Sequence, residues 1–160
     1  MRATRMTAFL LLLTGLVSGT AYADATVFLG STTTPNNRQT RGAALGAGLL
    51  IVGAELEYAD TPERPDEASP ALRTGMGSVY LQTPFALAGV QPYATTGVGV
   101  YRERLGSAQE TNVLLGSGGG VKVSLFGPIR VRFDYRVLKL RGTPTNSLVH
   151  RYYVGFNLKF

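Results

Sequence analysis

Several things are scarce in this chain of 160 residues. Cysteine is absent. An exported domain of this size often relies on disulfides when its core is thin, so its stability has another source. Tryptophan is absent and histidine occurs once, as His150. The helix formers Lys, Glu and Gln are sparse, while glycine occurs 20 times, tyrosine 8 and phenylalanine 7, a balance that favours strands and turns. Long apolar runs are missing as well. Beyond the N-terminal region the longest, AALGAGLLIVGA from Ala43 to Ala54, is far short of the roughly 20 residues a transmembrane helix requires. Dense basic runs are also lacking. The net charge of +6 is spread along the chain, which excludes a nucleic-acid-binding arm.

What is present begins with a leader. MRATRM carries Arg2 and Arg5, TAFLLLLTGLVSG is a short apolar core, and Ala21-Tyr22-Ala23 has the small-x-small form of a signal-peptidase site. That order describes a cleaved secretory signal over residues 1–23. The core is too short for an uncleaved anchor. Removing residues 1–23 leaves 137 of the 160, one domain over 24–160, with the net charge lowered to +4 by the loss of two arginines. An exported chain meets no nucleic acid.

Eight segments then alternate with period two: roughly 25–32, 41–50, 53–61, 72–83, 91–104, 111–125, 128–141 and 147–160. Most reach the roughly 9–11 residues of a tilted transmembrane strand. The connectors around Ile51, Pro84 and 126–128 are short, whereas 33–40, 60–71, 105–110 and 142–146 are polar and the first two are long. Short turns on one side and longer polar loops on the other are the pattern of an outer-membrane barrel. An even strand number puts both ends on the periplasmic side.

Faces follow from IRVRFDYRV. Ile129, Val131, Phe133, Tyr135 and Val137 share one face, and Arg130, Arg132, Asp134 and Arg136 the other. A lipid-facing Arg costs roughly 2–4 kcal/mol near the bilayer midplane. Three would consume most of a typical margin of about 5–15 kcal/mol, so the charged face points into the barrel. By the same rule Glu55 and Glu57 point in while Ala54, Leu56 and Tyr58 point out. Tyr93, Thr95, Tyr101, Glu103, Asn112, Lys122 and Ser124 point in; Val98, Val100, Val113, Leu115, Val121, Val123 and Leu125 point out. In the last segment Tyr152, Val154, Phe156, Leu158 and Phe160 face lipid, and Arg151, Tyr153, Gly155, Asn157 and Lys159 the lumen. A soluble lipocalin-like barrel would have the opposite polarity, and the missing tryptophan also speaks against it. The fold expected is all-β: an eight-stranded antiparallel up-and-down transmembrane β-barrel.

On GAELEYA (53–59), RFDYRV (132–137) and the strand ending in Phe160, residues 24–160 resemble the small eight-stranded outer-membrane β-barrel domains, the group with the OmpA-type barrel half and the OmpX-like adhesin barrels. The resemblance implies that Tyr152, Val154, Phe156, Leu158 and Phe160 form a signal read by the barrel-assembly machinery. It does not imply a cell-wall tether, because no peptidoglycan-binding segment follows the barrel here.

Several constellations remain. Glu55, Glu57, Lys122, Arg130, Arg132, Asp134, Arg136 and Arg151 should share the lumen. Eight strands leave an interior that side chains fill, and buried charges must be paired, so a bonded plug is expected rather than a narrow solute or ion channel. His150 could be the base of a lipid A-modifying enzyme, but no serine or carboxylate stands in register with it; it reads as a rim residue. LGSGGGV (115–121) lacks the lysine and hydroxyl of a phosphate loop and reads as close backbone approach. DTPERPDEASPA carries four carboxylates without calcium-loop spacing. No catalytic, cofactor or metal residue is assigned. The expected role is non-enzymatic, envelope-structural or surface-interacting. The expected partners are outer-membrane lipid and lipopolysaccharide, the assembly machinery during biogenesis, and a surface ligand at loops 33–40 and 60–71.

Overall fold

The alternation written along each segment closes into one sheet in the computed structural model, which describes residues 21–160. Of the leader expected over residues 1–23, residues 1–20 lie outside the described residues. The strands are β1 (Ala21–Thr32), β2 (Arg38–Leu49), β3 (Val52–Thr61), β4 (Ala71–Gln82), β5 (Val90–Leu105), β6 (Ala108–Phe126), β7 (Ile129–Leu140) and β8 (Leu148–Lys159). Each pairs antiparallel with its sequence neighbour, and β1 pairs with β8 to close the barrel. The seam runs from Asp24 opposite Lys159 to Thr32 opposite Arg151. The expected cleavage residues Ala21–Ala23 lie at the start of β1. There Ala23 and Phe160 exchange backbone hydrogen bonds of 2.8 and 2.9 Å.

Tracing cross-strand partners once round the barrel from Thr111 returns to Val121 on the same strand, a displacement of ten residues. That stagger is what closing tilted strands requires. Rows of paired residues therefore climb like a staircase from β2 to β6.

The faces are as expected. Leu56, Val27, Leu45 and Phe156 are between 64 and 70 % exposed on the outside, and all eight expected lumen charges are buried. Such an outer surface belongs in lipid rather than water. Ser124 and Lys159 are exceptions to their inward assignments, because both are exposed at the inner mouth, where Lys159 Nζ lies 4.7 Å from the centroid of the Tyr22 ring.

The connectors are tighter than polarity alone suggests. Arg38, Gln39 and Thr40 belong to β2, so the first outer loop spans only 33–37. Inward polar side chains made that strand end look like loop: Thr32, Thr40 and Thr61 bond to one another through their hydroxyls, two of the three distances being 2.7 Å. The expected loop 105–110 is a two-residue turn at Gly106 and Ser107. Gly106 has φ +60°, a left-handed conformation that favours glycine. The β5 and β6 strands, of 16 and 19 residues, thus project as a hairpin beyond the bilayer. The glycine run of β6 serves close approach: a Cβ on Gly118 or Gly120 would collide with the β7 carbonyls of Tyr135 and Phe133.

Above the membrane rim the polarity of the wall inverts. On β7 Lys139 points out while Leu138 and Leu140 point in. Likewise Arg73 is outside beside inward Leu72, Arg102 beside Tyr101, and His150 beside Val149. Leu72, Met76, Tyr101, Leu114, Leu138, Leu140 and Val149 form one buried cluster inside the outer end. The barrel thus has two tiers: a lower one built for lipid, with charge inside, and an upper one built like a soluble barrel, with an apolar core.

Candidate functional site

The lower tier is filled by ions that the alternating strands aim at one axis. β7 contributes Arg130, Arg132, Asp134 and Arg136 on successive inward positions, β3 contributes Glu55 and Glu57, and Lys122 and Arg151 come from β6 and β8. Arg132 and Arg136 share Glu55: Arg132 grips both carboxylate oxygens, one at 3.1 Å, and Arg136 donates at 2.7 Å. Both arginines also reach Asp134, at 2.9 and 3.1 Å. Glu57 is 3.3 Å from Arg136 and 3.3 Å from Arg151, and it accepts from the Tyr153 hydroxyl at 3.2 Å. Tyr93 receives the Arg132 Nε–H at 2.6 Å and donates its hydroxyl to Asp134. The structure brings all eight predicted lumen charges together.

It also adds members that sequence reasoning missed. Asp24 is 1 % exposed, accepts from Lys122 at 3.0 Å and lies 3.7 Å from Arg130. It supplies the fourth carboxylate against five cations. Its inward parity with Thr26 and Phe28 was the available signal, but the first strand was expected to begin at residue 25. Arg130 continues to Asn157 at 3.0 Å and Gln91 at 3.1 Å. Arg38, read as loop, is buried and donates to the carbonyls of Pro70 and Thr34, the latter at 2.9 Å. No residue pattern marked the apolar cluster above, because its members sit on the face expected to carry charge.

Chemically this is a filled interior. In the lower tier Asp24, Glu55, Glu57 and Asp134 are each matched by guanidinium or ammonium groups in range, as burial demands. The path outward then meets the apolar cluster of the upper tier on the β4–β8 side and, on the β1–β3 side, Thr32, Thr40 and Thr61, whose hydroxyls bond to one another.

At the outer surface, Asn36 Nδ2 donates to the Ser69 hydroxyl at 3.2 Å, which ties loop 33–37 to loop 62–70. Glu110, on the projecting hairpin, accepts from the Thr143 backbone N–H and hydroxyl, the latter at 2.8 Å, and so holds the loop after β7. The backbone hydrogen bond from Thr143 does most to lower the Glu110 carboxyl below its ordinary range. His150 Nδ1 lies 2.8 Å from the Tyr135 hydroxyl, and the Tyr135 ring stacks on Tyr152 with centroids 4.6 Å apart. Among the described residues no cluster of three or more His, Cys, Asp or Glu side chains could hold a metal.

No protein-family model and no curated protein matches the chain. Solved structures do. Neisserial surface protein A matches over 87 % of this chain and 95 % of its own, with 16 % identity and a TM-score of 0.60. The N-terminal β-barrel domain of Pseudomonas aeruginosa OprF matches over 88 % of this chain and 100 % of its own, with 14 % identity and a TM-score of 0.62. The outer membrane enzyme PagL matches over 84 % of this chain and 98 % of its own, with 16 % identity and a TM-score of 0.55. A surface protein and an enzyme both stand among these neighbours, so the architecture does not by itself select an activity. The fold of this chain is that of the small eight-stranded outer-membrane β-barrels.

Proposed function

We propose that the chain is an integral outer-membrane protein, exported by cleavage after Ala23, whose barrel is a rigid, non-conducting anchor for its outer loops. Its role is envelope-structural or surface-interacting rather than enzymatic. The carrying observation is the pair of stacked fillings: a bonded charge network in the lipid tier, closed by the apolar cluster of Leu72, Leu114, Leu138 and Leu140 in the outer tier. Residues spent on filling a lumen this way serve stability and leave no open path. The joined loops 33–37 and 62–70 present exposed Asp66 and Glu67 to the outside and are the place for partner contact. His150, the one candidate base, is engaged with Tyr135 and stacked at the rim, which favours an anchoring role. In this reading Phe160, with its ring 69 % exposed, is recognised by the assembly machinery and does little in the finished wall.

Gel mobility of detergent-extracted protein tests the membrane placement. A folded barrel migrates differently before and after boiling; identical mobility together with recovery from the soluble periplasm contradicts the proposal. Mass spectrometry of lipid A from cells with and without the protein tests the non-enzymatic role. Unchanged acyl chains are expected, and a protein-dependent change in them contradicts it.

A further inference from the structure

We propose that the outer wall of β2–β6 holds one phosphorylated, multiply acylated lipid of the outer leaflet, its phosphates on a staircase of arginines and its chains in a trough left by Gly75 and Gly77. The inference rests on the outer-membrane reading and gives the expected lipid partner a place and the groups that hold it.

Arg41, Asp60, Arg73 and Arg102 are successive cross-strand partners on β2, β3, β4 and β5, all pointing outward. Arg104 follows two residues beyond Arg102. The Arg41, Arg73 and Arg104 side chains are 77, 59 and 60 % exposed. Asp60 lies 2.9 Å from Arg73 and 3.8 Å from Arg41, and Glu63 lies 3.6 Å from Arg104. Four cations against two carboxylates leave an excess of two, and among the described residues no salt bridge involves Arg102. Arg73, Arg102 and Arg104, with Asp60 and Glu63, line a recess of about 230 Å³. The row climbs about 3 Å per strand, given a strand spacing of roughly 4.8 Å and a tilt of roughly 40°. It thus spans the depth of a headgroup layer, with Arg41 lowest. The rest of the rim carries Ser31, Thr111, Lys139, Arg141 and His150, so four of these six arginine and lysine side chains stand on the β2–β5 side. Guanidinium groups suit phosphate because they bind two oxygens at once.

The trough lies below Arg73 on the same strand. Other strand glycines are forced by close approach: a Cβ on Gly97 or Gly99 would strike the backbone of β4. At Gly75 an added Cβ meets nothing within 4 Å, and at Gly77 only Leu56 Cδ2 at 3.6 Å. The fold therefore does not require glycine at either position. Their missing side chains open two adjoining outward depressions of about 840 and 550 Å³, which share Leu45, Leu56 and Gly77. Apolar walls suit acyl chains. A second copy of this chain fits less well, because a two-fold contact sets a patch against itself and would oppose arginine to arginine.

Native mass spectrometry of the full chain folded in detergent, with purified bisphosphorylated lipid A as probe, tests the site. One lipid per barrel is expected. A double Arg73→Ala/Arg102→Ala variant should weaken binding roughly thirtyfold, since each of the two surface arginines contributes on the order of 1 kcal/mol toward an anionic lipid. A Gly75→Leu/Gly77→Leu variant should weaken it comparably, and Lys139→Ala should leave it unchanged. Equal retention by the variants, equal retention of dephosphorylated lipid, equal binding of inorganic phosphate, or a lipid-free protein dimer each overturns the site. The same samples are run unboiled and boiled on a gel. A heat-shifted barrel that retains no lipid removes this site alone, whereas absence of the shift in the unmodified protein removes the membrane reading beneath it.

Discussion

Glu55 accepts from two arginines at once, which makes it the residue on which the lumen most depends. Removing one partner of a buried ion pair leaves an uncompensated charge and typically costs about 3–5 kcal/mol. Glu55→Ala should therefore lower the unfolding free energy of the folded barrel in detergent, read from its urea titration, by an amount in that range. Glu67→Ala on the exposed outer turn should change it by less than about 0.5 kcal/mol. Equal midpoints for the two variants contradict the network. Glu110 makes a separate prediction. Its folded-state pKa is depressed, chiefly by the Thr143 backbone N–H. Such a carboxylate contributes stability above its unfolded pKa, and that contribution is lost as pH falls through the lower folded value. Protection of the Thr143 amide, its intrinsic exchange rate over the observed rate at each pH, should hold steady above about pH 4.5 and fall only as the solution becomes more acidic. Glu110→Gln should remove that pH dependence.

At the scale of the strand, the inversion of polarity along β7 separates two environments. Leu138→Ala opens a void in the closed upper core and should cost about 2–5 kcal/mol. Leu56→Ala removes a side chain that is 70 % exposed to lipid and should cost far less. Comparable urea midpoints for these two variants would show that the upper cluster is not packed. The strand also shows where the sequence was legible. IRVRFDYRV placed Arg130, Arg132, Asp134 and Arg136 correctly because period two and the cost of charge in lipid permit only one assignment. The same rule missed Arg38, Thr40 and Asp24. Inward polar residues near a strand end look like loop until the partners that satisfy them are known. Leu138 and Leu140 were missed for a related reason: the wall leaves the bilayer at Lys139, and beyond that point the lipid rule no longer applies.

At the scale of the whole molecule, the closed seam between β1 and β8, the filled lower lumen and the sealed upper tier make one rigid wall. The free end belongs to that wall through the residue before it, since Lys159 pairs with Asp24, while the Phe160 ring adds little packing. Deleting Phe160 should slow appearance of the heat-shifted form during assembly more than it lowers the urea midpoint of the finished barrel. Assembly at the normal rate contradicts a role for Phe160 in recognition. The most direct test of a filled barrel is planar-bilayer conductance of the purified protein. No steady single-channel steps are expected. Steady steps that disappear in Arg132→Ala or Glu57→Ala would show that ions pass through the charged lumen, and the plugged-anchor reading would fall.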